Sequence, residues 1–138
     1  MVRINLINPK KLADQHLIAE YNEILMLLGY VRKYPLEKDI PEEYCLGRGH
    51  IKFFKNKLLY LQKRHEILKK EMKRRGFVPT KTINLSEFSI SLRNDWKPSF
   101  KDFIIIKERL REKINFKPDY YKYKGKKKSK KFFLDLLE

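Results

Sequence analysis

Apolar residues recur at helical spacing in three stretches of this chain. The first stretch predicts a helix over residues 14–33, for which Asp14 is a candidate N-cap. An extended arm over residues 1–8 should precede it, followed by a short helical turn that Asn8 caps and Pro9 begins. The positions expected to face the core are Leu17, Tyr21, Ile24, Leu25, Leu28 and Val31.

The second stretch predicts one long helix over residues 49–75. Gly76 follows it and suits the left-handed position that commonly ends a helix. The loop over residues 34–46, which contains two prolines and mixed charges, should connect this helix to the first one. The apolar stripe of the second helix consists of Phe54, Leu58, Leu61, Leu68 and Met72.

The third stretch begins with Ser99 and Asp102, which resemble a capping box and open a helix to about Asn115. Residues 78–98 alternate weakly, but a two-stranded piece would be marginally stable alone, so we expect an ordered loop there. The buried positions of this third helix should be Phe103, Ile106, Leu110 and Ile114. The pattern therefore predicts an all-α fold: one compact domain over residues 1–138 with three main helices, an extended N-terminal arm, long loops and a Lys-rich C-terminal extension over 126–138.

The charge balance of the chain indicates what kind of partner this fold binds. The 138 residues include 33 Lys and Arg against 17 Asp and Glu, for a net charge of +16. This excess indicates a polyanionic partner, with nucleic acid ahead of an anionic membrane surface. No apolar run approaches the roughly 18 residues of a membrane span, and the N-terminus lacks the apolar core of a signal peptide. The lone Cys45 excludes an internal disulfide, so we expect an intracellular protein that is not secreted.

Several common catalytic chemistries find no support in the sequence. His16, His50 and His65 are far apart and lack the spacing of metal ligands. Cys45 has no base near it in sequence, and the Gly-Arg-Gly run at residues 47–49 is too short for a phosphate loop and is interpreted as a tight turn. We therefore predict neither a metal nor an organic cofactor.

Three ordered blocks give the chain a family resemblance. Residues 2–6 (Val-Arg-Ile-Asn-Leu) and 12–23 (Leu-Ala-Asp-Gln-His-Leu-Ile-Ala-Glu-Tyr-Asn-Glu) form the first. The second begins with residues 46–54 (Leu-Gly-Arg-Gly-His-Ile-Lys-Phe-Phe) and continues to residue 77. The third is the basic, aromatic stretch over residues 109–126. In this order and spacing the chain resembles the small pyrimidine-dimer DNA glycosylases, the endonuclease V enzymes of the dimer-specific type, whose fold is also all-α.

The resemblance implies a nucleophile and its partner. Removal of Met1 would expose the α-amine of Val2 as the nucleophile, and the helix carboxylate of Glu23 would assist it. An α-amine titrates near ~8 against ~10.4 for lysine, so at neutral pH it holds roughly a hundredfold more of the reactive free base. We expect Glu23 to stay ionised among phosphate-binding cations.

The resemblance also implies a surface for double-stranded damaged DNA. Arginines of the family pattern are replaced here by Asn22 and Met26, and a helix-kinking proline by Leu25. The tyrosines after residue 119 have no apolar periodicity that would place them in a core, so we expect them to stack on bases. The DNA-contacting positions predicted in this way are Arg3, His16, Asn22, Arg48, Arg109, Lys113, Lys117, Tyr120, Tyr121, Lys122, Tyr123 and Lys124.

The expected function is therefore a monomeric DNA repair enzyme. It would be a glycosylase with coupled abasic-site lyase activity on ultraviolet-induced pyrimidine dimers in duplex DNA. One alternative is an abasic-site lyase or a glycosylase with another lesion preference, which the departures at Asn22 and Met26 motivate. The other is a DNA-binding protein without catalysis that kept the fold and the charge.

Overall fold

A computed structural model describes residues 3–35 and 38–138 of the protein. The described residues form five α-helices, two short 3-10 turns (Pro9–Lys11 and Ile90–Leu92) and one small antiparallel hairpin, which confirms the all-α prediction. The helices are α1 (Asp14–Lys33), α2 (Gly49–Phe54), α3 (Leu58–Arg74), α4 (Phe100–Phe116) and α5 (Lys130–Leu136). The hairpin pairs β1 (Lys122–Tyr123) with β2 (Lys126–Lys127), so that Lys122 lies opposite Lys127.

Helix α1 covers the predicted range, but the prediction of Asp14 as its N-cap is wrong. The N-cap is Ala13, and Asp14 is the first helical residue. Its carboxylate instead accepts hydrogen bonds from the backbone nitrogens of Lys124 at 3.0 Å and Gly125 at 2.7 Å, and it pairs with Arg75 at 3.0 Å. An acidic group in the first turn still suits the helix dipole, while its hydrogen bonds tie the hairpin to α1.

The single helix predicted over residues 49–75 is in fact two helices. Residues 55–57 interrupt it, because Lys57 leaves the helical conformation and pairs as an isolated bridge with Arg93. The interruption occurs beside Phe53 and Phe54, and both of these rings are fully buried. Gly76 adopts a φ of +92° after α3, in the left-handed conformation that the sequence predicted.

The third helix and the loop before it follow the sequence closely. Ser99 and Asp102 form the predicted capping box, and α4 ends one residue beyond Asn115. Residues 78–98 form an ordered loop that contributes Ile83, Leu85, Phe88 and Leu92 to the core.

The C-terminal stretch is folded, and this corrects one expectation. Beyond the hairpin, the Lys-rich extension forms α5, which is capped by Ser129 and buries Phe133. Tyr121, expected outside the core, is only 5% exposed and belongs to the main hydrophobic cluster. Its ring packs near Phe133, which shows why its burial was missed: the residue that covers it comes from α5.

A buried ion pair joins the N-terminal arm to the helices. Arg64 of α3 binds both carboxylate oxygens of Glu20 on α1, at 2.7 and 3.0 Å, and neither side chain is appreciably exposed. The same guanidinium donates to the carbonyl oxygens of Leu6 at 3.1 Å and Ile7 at 2.6 Å. Leu6 has a φ of +59°, which is unfavourable for a residue with a side chain, and its carbonyl contact with Arg64 helps to hold that conformation.

Across residues 3–35 and 38–138, no helix has the length and apolarity needed to cross a membrane.

Candidate active site

The N-terminal arm reaches α1 at Glu23. The backbone N–H of Arg3 donates to Oε2 of Glu23 at 3.0 Å, across 20 residues of sequence. The next residue, Ile4, is completely buried, and its N–H donates to Nε2 of His50 at 2.7 Å. The start of the described chain is therefore fixed beside a carboxylate on the first helix.

A cleft of about 510 Å³ opens at this carboxylate. The arm, α1, α4 and the segment after α4 each supply part of its lining. It brings together seven of the predicted site residues: Arg3, His16, Glu23, Arg109, Lys113, Tyr120 and Tyr121. The sequence did not predict the remaining lining residues, which are Asn5, Gln15, Ala19 and Leu110.

Glu23 is half-buried in this cleft, and its pKa is raised. Burial is the main cause, because it disfavours the charged carboxylate. The hydrogen bond from the Arg3 backbone and the charge of Arg3 act in the opposite direction. From the sequence we expected the surrounding cations to determine the pKa of Glu23, whereas burial has the larger effect. A carboxylate with a raised pKa is a stronger base when it is ionised.

Cations surround the Glu23 carboxylate in the cleft and repel one another. Burial and then Arg109 lower the pKa of the Arg3 guanidinium. Burial also lowers the pKa of Lys113, followed by the charges of Arg109, Arg3 and Lys117. An anion placed between these groups would relieve the repulsion, so the cleft is suited to a phosphate-bearing ligand.

His16 enters the cleft as a neutral side chain. Its pKa is lowered to about 4, first by burial and then by the charges of Arg3 and Lys113. The imidazole packs against Tyr121, with ring centroids 4.7 Å apart. At neutral pH it can exchange hydrogen bonds with a phosphate but adds no charge to the site.

Gln15 binds the segment that carries Tyr120 and Tyr121, the aromatic wall of the cleft. It was not among the site residues predicted from the sequence. Its Nε2 donates to the carbonyl of Tyr120 at 2.9 Å, and its Oε1 accepts from the backbone of Lys122 at 3.1 Å. Gln15 lies within the first block of resemblance, but its partners are more than 100 residues away, so nothing local identified it. Tyr120 is 52% exposed at the cleft, and the Lys117 ammonium lies 5.0 Å from its ring centroid.

One comparison with known proteins identifies the family. The family model described as "Pyrimidine dimer DNA glycosylase" matches residues 1–85, which is more than half of the chain. The chain belongs to this family. It is accordingly a DNA repair glycosylase that acts on pyrimidine dimers and binds damaged DNA. The matched range contains Arg3, His16 and Glu23, whereas α4 and the aromatic segment of the cleft lie beyond it.

Other predicted site residues of this glycosylase lie away from the cleft. Asn22 and Arg48 are exposed but do not line it, and Lys122 and Lys124 belong to the neighbouring hairpin. Tyr123 has structural partners: its hydroxyl donates to the Lys10 carbonyl at 2.8 Å, and other contacts come from Arg74 and Arg75. Val2, the predicted nucleophile, lies outside the described residues.

The described part of the glycosylase offers no cluster for a metal ion. Across residues 3–35 and 38–138, no three His, Cys, Asp or Glu side chains lie close enough together to hold one. His50, although buried near the arm, uses both ring nitrogens for contacts with backbone groups.

Proposed function

We propose that this glycosylase couples base removal to cleavage of the resulting abasic site through a Schiff base on the α-amine of Val2. The observation that carries the proposal is the 3.0 Å hydrogen bond from the Arg3 backbone nitrogen to Glu23. Covalent geometry keeps the amine of Val2 within about 4 Å of that nitrogen. With Met1 removed, the nucleophile would stand at the cleft beside the carboxylate.

The proposed reaction needs neither metal nor organic cofactor. The free amine attacks C1′ of the damaged nucleotide, and the N-glycosidic bond breaks with its electron pair leaving on the base. The amine then transfers a proton to O4′ as the C1′–O4′ bond breaks and the sugar ring opens, which leaves a protonated imine at C1′, while the departing base takes a proton from solvent. The imine acidifies the C2′ proton, and removal of that proton expels the 3′ phosphate by β-elimination. Water finally hydrolyses the imine and frees the amine.

We assign Glu23 two tasks in this sequence. Its negative charge stabilises the cationic sugar as the glycosidic bond breaks, and its oxygen accepts a proton during elimination. The raised pKa supports the second task, since a more basic carboxylate is a better proton acceptor. Oε2 accepts the Arg3 N–H, and a carboxylate has further lone pairs for a second hydrogen bond.

The remaining cleft residues would hold duplex DNA as a monomer. Arg3, Arg109 and Lys113 would neutralise phosphates, which supplies most of the non-specific affinity for DNA. The exposed ring of Tyr120 would stack on a base near the lesion. Because C1′ of a stacked nucleotide is shielded, we expect the duplex to be kinked and a base to be turned out of the helix.

Borohydride trapping tests the proposal. The mature protein would be incubated with a dimer-containing duplex and with an abasic duplex, and any imine would be reduced to a stable covalent complex. Peptide mapping should place the adduct on the N-terminal residue. Glu23→Gln should bind both duplexes normally but cleave them slowly, whereas the control Glu108→Gln, on the exposed part of α4, should cleave normally. Wild-type protein that binds but never traps would overturn the Schiff-base proposal, and the absence of base removal as well would favour the non-catalytic DNA-binding protein.

One observation favours a second candidate, a lyase or glycosylase with another lesion preference. Asn22 and Met26 are both exposed, and no arginine stands at either position. Contacts between this surface of α1 and the phosphates of the damaged strand would therefore be weaker than with arginine at both positions. Rapid trapping on the abasic duplex without any cleavage of the dimer duplex would support this candidate.

A further inference from the structure

Two side chains bind the backbone of Ile4, one on each side. They are Tyr44, in the segment before α2, and His50, in α2. The Ile4 N–H donates to Nε2 of His50 at 2.7 Å, and its carbonyl accepts from the hydroxyl of Tyr44 at 3.0 Å. Both side chains are buried, with exposures of 2% and 3%. The residue two places after the proposed nucleophile is therefore held at both of its backbone polar groups.

The chemistry of these contacts fixes the state of His50. A backbone N–H can only donate, so Nε2 must be unprotonated to accept from Ile4. The proton then resides on Nδ1, which donates to the carbonyl of Cys45 at 2.9 Å. Burial lowers the pKa of His50 to about 4, which keeps the imidazole neutral around pH 7.

Close packing holds the ring of His50 in this orientation. Tyr44 and Phe54 each meet the imidazole edge to face, with centroids 5.4 Å away. The preceding residue is Gly49, where an added Cβ would stand 2.6 Å from Sγ of Cys45 and 3.2 Å from Cγ of Pro41. The loop can approach α2 this closely because position 49 has no side chain.

We propose that His50 is a positioning residue for the amine, and that Tyr44 assists it. The inference rests on the proposed function, because it concerns where the Val2 amine stands. His50 fixes the backbone nitrogen of Ile4, and this keeps the N–H of the preceding residue Arg3 hydrogen-bonded to Glu23. The amine is then expected beside the same carboxylate. The sequence assigned no role to His50, although it lies in the second block of resemblance, because its partner is 46 residues away.

The anchoring of the arm predicts a specific defect when His50 is lost. Arg64 holds the carbonyls of Leu6 and Ile7 independently of His50, so the arm would stay attached from Leu6 onward. Only the residues before it would gain freedom. The long side chain of Arg3 would still reach a phosphate, and the cations on α4 would remain in place. Loss of His50 should therefore slow attack on C1′ while leaving DNA affinity almost unchanged.

Three variants of the full-length mature protein test this. His50→Leu removes both hydrogen bonds. His50→Gln retains an amide oxygen that can accept from Ile4. His65→Leu is the matched control, since His65 is equally buried but stacks on Tyr21 in the core. Single-turnover borohydride trapping on an abasic duplex, the dissociation constant of that duplex and thermal unfolding are measured for each.

The trapping rate of His50→Leu should fall by roughly 10- to 100-fold, the size expected for a displacement near 1 Å, with a dissociation constant within about twofold of wild type. His50→Gln should recover most of the rate. His65→Leu should lose stability but keep its trapping rate. Since His50→Leu could fail to fold, Tyr44→Phe provides a second test: it removes only the hydroxyl contact and should slow trapping by a few-fold.

Specific results would overturn the inference. A folded His50→Leu or, failing that, a Tyr44→Phe that traps at the wild-type rate would show that the arm needs no such contact. Equal losses of rate and affinity in His50→Leu and His65→Leu would reduce His50 to a structural residue. Wild-type protein that never traps would overturn the proposed function and this inference together, which is a distinguishable result.

Discussion

The imidazole of His16 and the ring of Tyr121 pack at a tilt of 41° with their centroids 4.7 Å apart, which joins α1 to the segment after α4. The two tyrosines of that segment lie in different environments, since Tyr121 is 5% exposed and Tyr120 is 52% exposed. Tyr121 is thus part of the core that supports the cleft wall, and Tyr120 presents its ring to whatever the cleft binds. The sequence had treated both as equivalent base-stacking rings.

Alanine substitutions should separate the two roles. Tyr120→Ala should reduce the preference for dimer-containing over undamaged duplex by about tenfold, because a ring stacked on a base contributes roughly 1–3 kcal/mol. Tyr121→Ala should instead lower the free energy of unfolding by about 3–5 kcal/mol, as is typical for removal of a buried aromatic ring. Competition binding and urea unfolding measure the two effects. Tyr120→Phe serves as the control that retains stacking, and a large stability loss in Tyr120→Ala would contradict the assignment.

Restoring cations on α1 should improve dimer cleavage. Asn22 and Met26 are four residues apart and therefore neighbours on the helix surface, next to Glu23. The double substitution Asn22→Arg and Met26→Arg should raise kcat/KM on dimer duplex more than on abasic duplex, because each new phosphate contact can add about 1.5–3 kcal/mol before ordering of the side chain. Matched substitutions to glutamine control for the loss of Met26 as an exposed apolar residue. Unchanged or slower dimer cleavage would mean that other cations, Arg48 first, hold the damaged strand.

Stability should decline as the pH falls below about 6.5. The pKa values of His16 and His50 are lowered to about 4 in the folded protein, whereas an unfolded histidine titrates near ~6.5. Between these values the unfolded chain binds more protons, so acid favours unfolding by up to about 1.4 kcal/mol per pH unit for each histidine. Denaturant unfolding at about pH 7, 6 and 5 measures the slope. The double variant His16→Gln, His50→Gln should show a flatter profile, and equal slopes would contradict the prediction.

The buried pair of Arg64 and Glu20 should be more costly to break than to replace. Arg64→Met leaves the Glu20 carboxylate buried without a partner and should cost about 3–5 kcal/mol of unfolding free energy. Adding Glu20→Leu removes the orphan charge and should restore part of that loss. Urea unfolding of both variants gives the comparison. A double variant that is no more stable than Arg64→Met alone would mean that the contacts of Arg64 with the arm, rather than the ion pair, dominate.

Local patterns in the sequence predicted the parts of the fold that depend on neighbouring residues. Apolar spacing gave α1 and α4, and the capping box at Ser99 marked the start of α4 because both of its partners lie within one turn. The break between α2 and α3 could not be predicted in this way. It depends on Lys57 pairing with Arg93, which is 36 residues away and carries no pattern that marks it as a partner.

The residues of the candidate site show the same difference between local patterns and partners remote in sequence. The family resemblance pointed to Arg3, His16 and Glu23, and the cleft brings them together. Gln15 and His50 were missed because each binds backbone groups remote in sequence, and any residue type can supply such a group. The roles of Val2 and Glu23 in catalysis stay predictions until trapping is done.

The division of the cleft between two stretches of chain has a consequence for how such an enzyme can change. The carboxylate and the arm belong to residues 1–85, while Arg109, Lys113 and Tyr120 belong to the last third of the chain. Substitutions in that last third can reshape the wall that meets the nucleic acid without touching the groups proposed to break bonds. We therefore expect the part of lesion preference that depends on this wall to change independently of the bond-breaking chemistry, and exchanging residues 109–124 between relatives would test it.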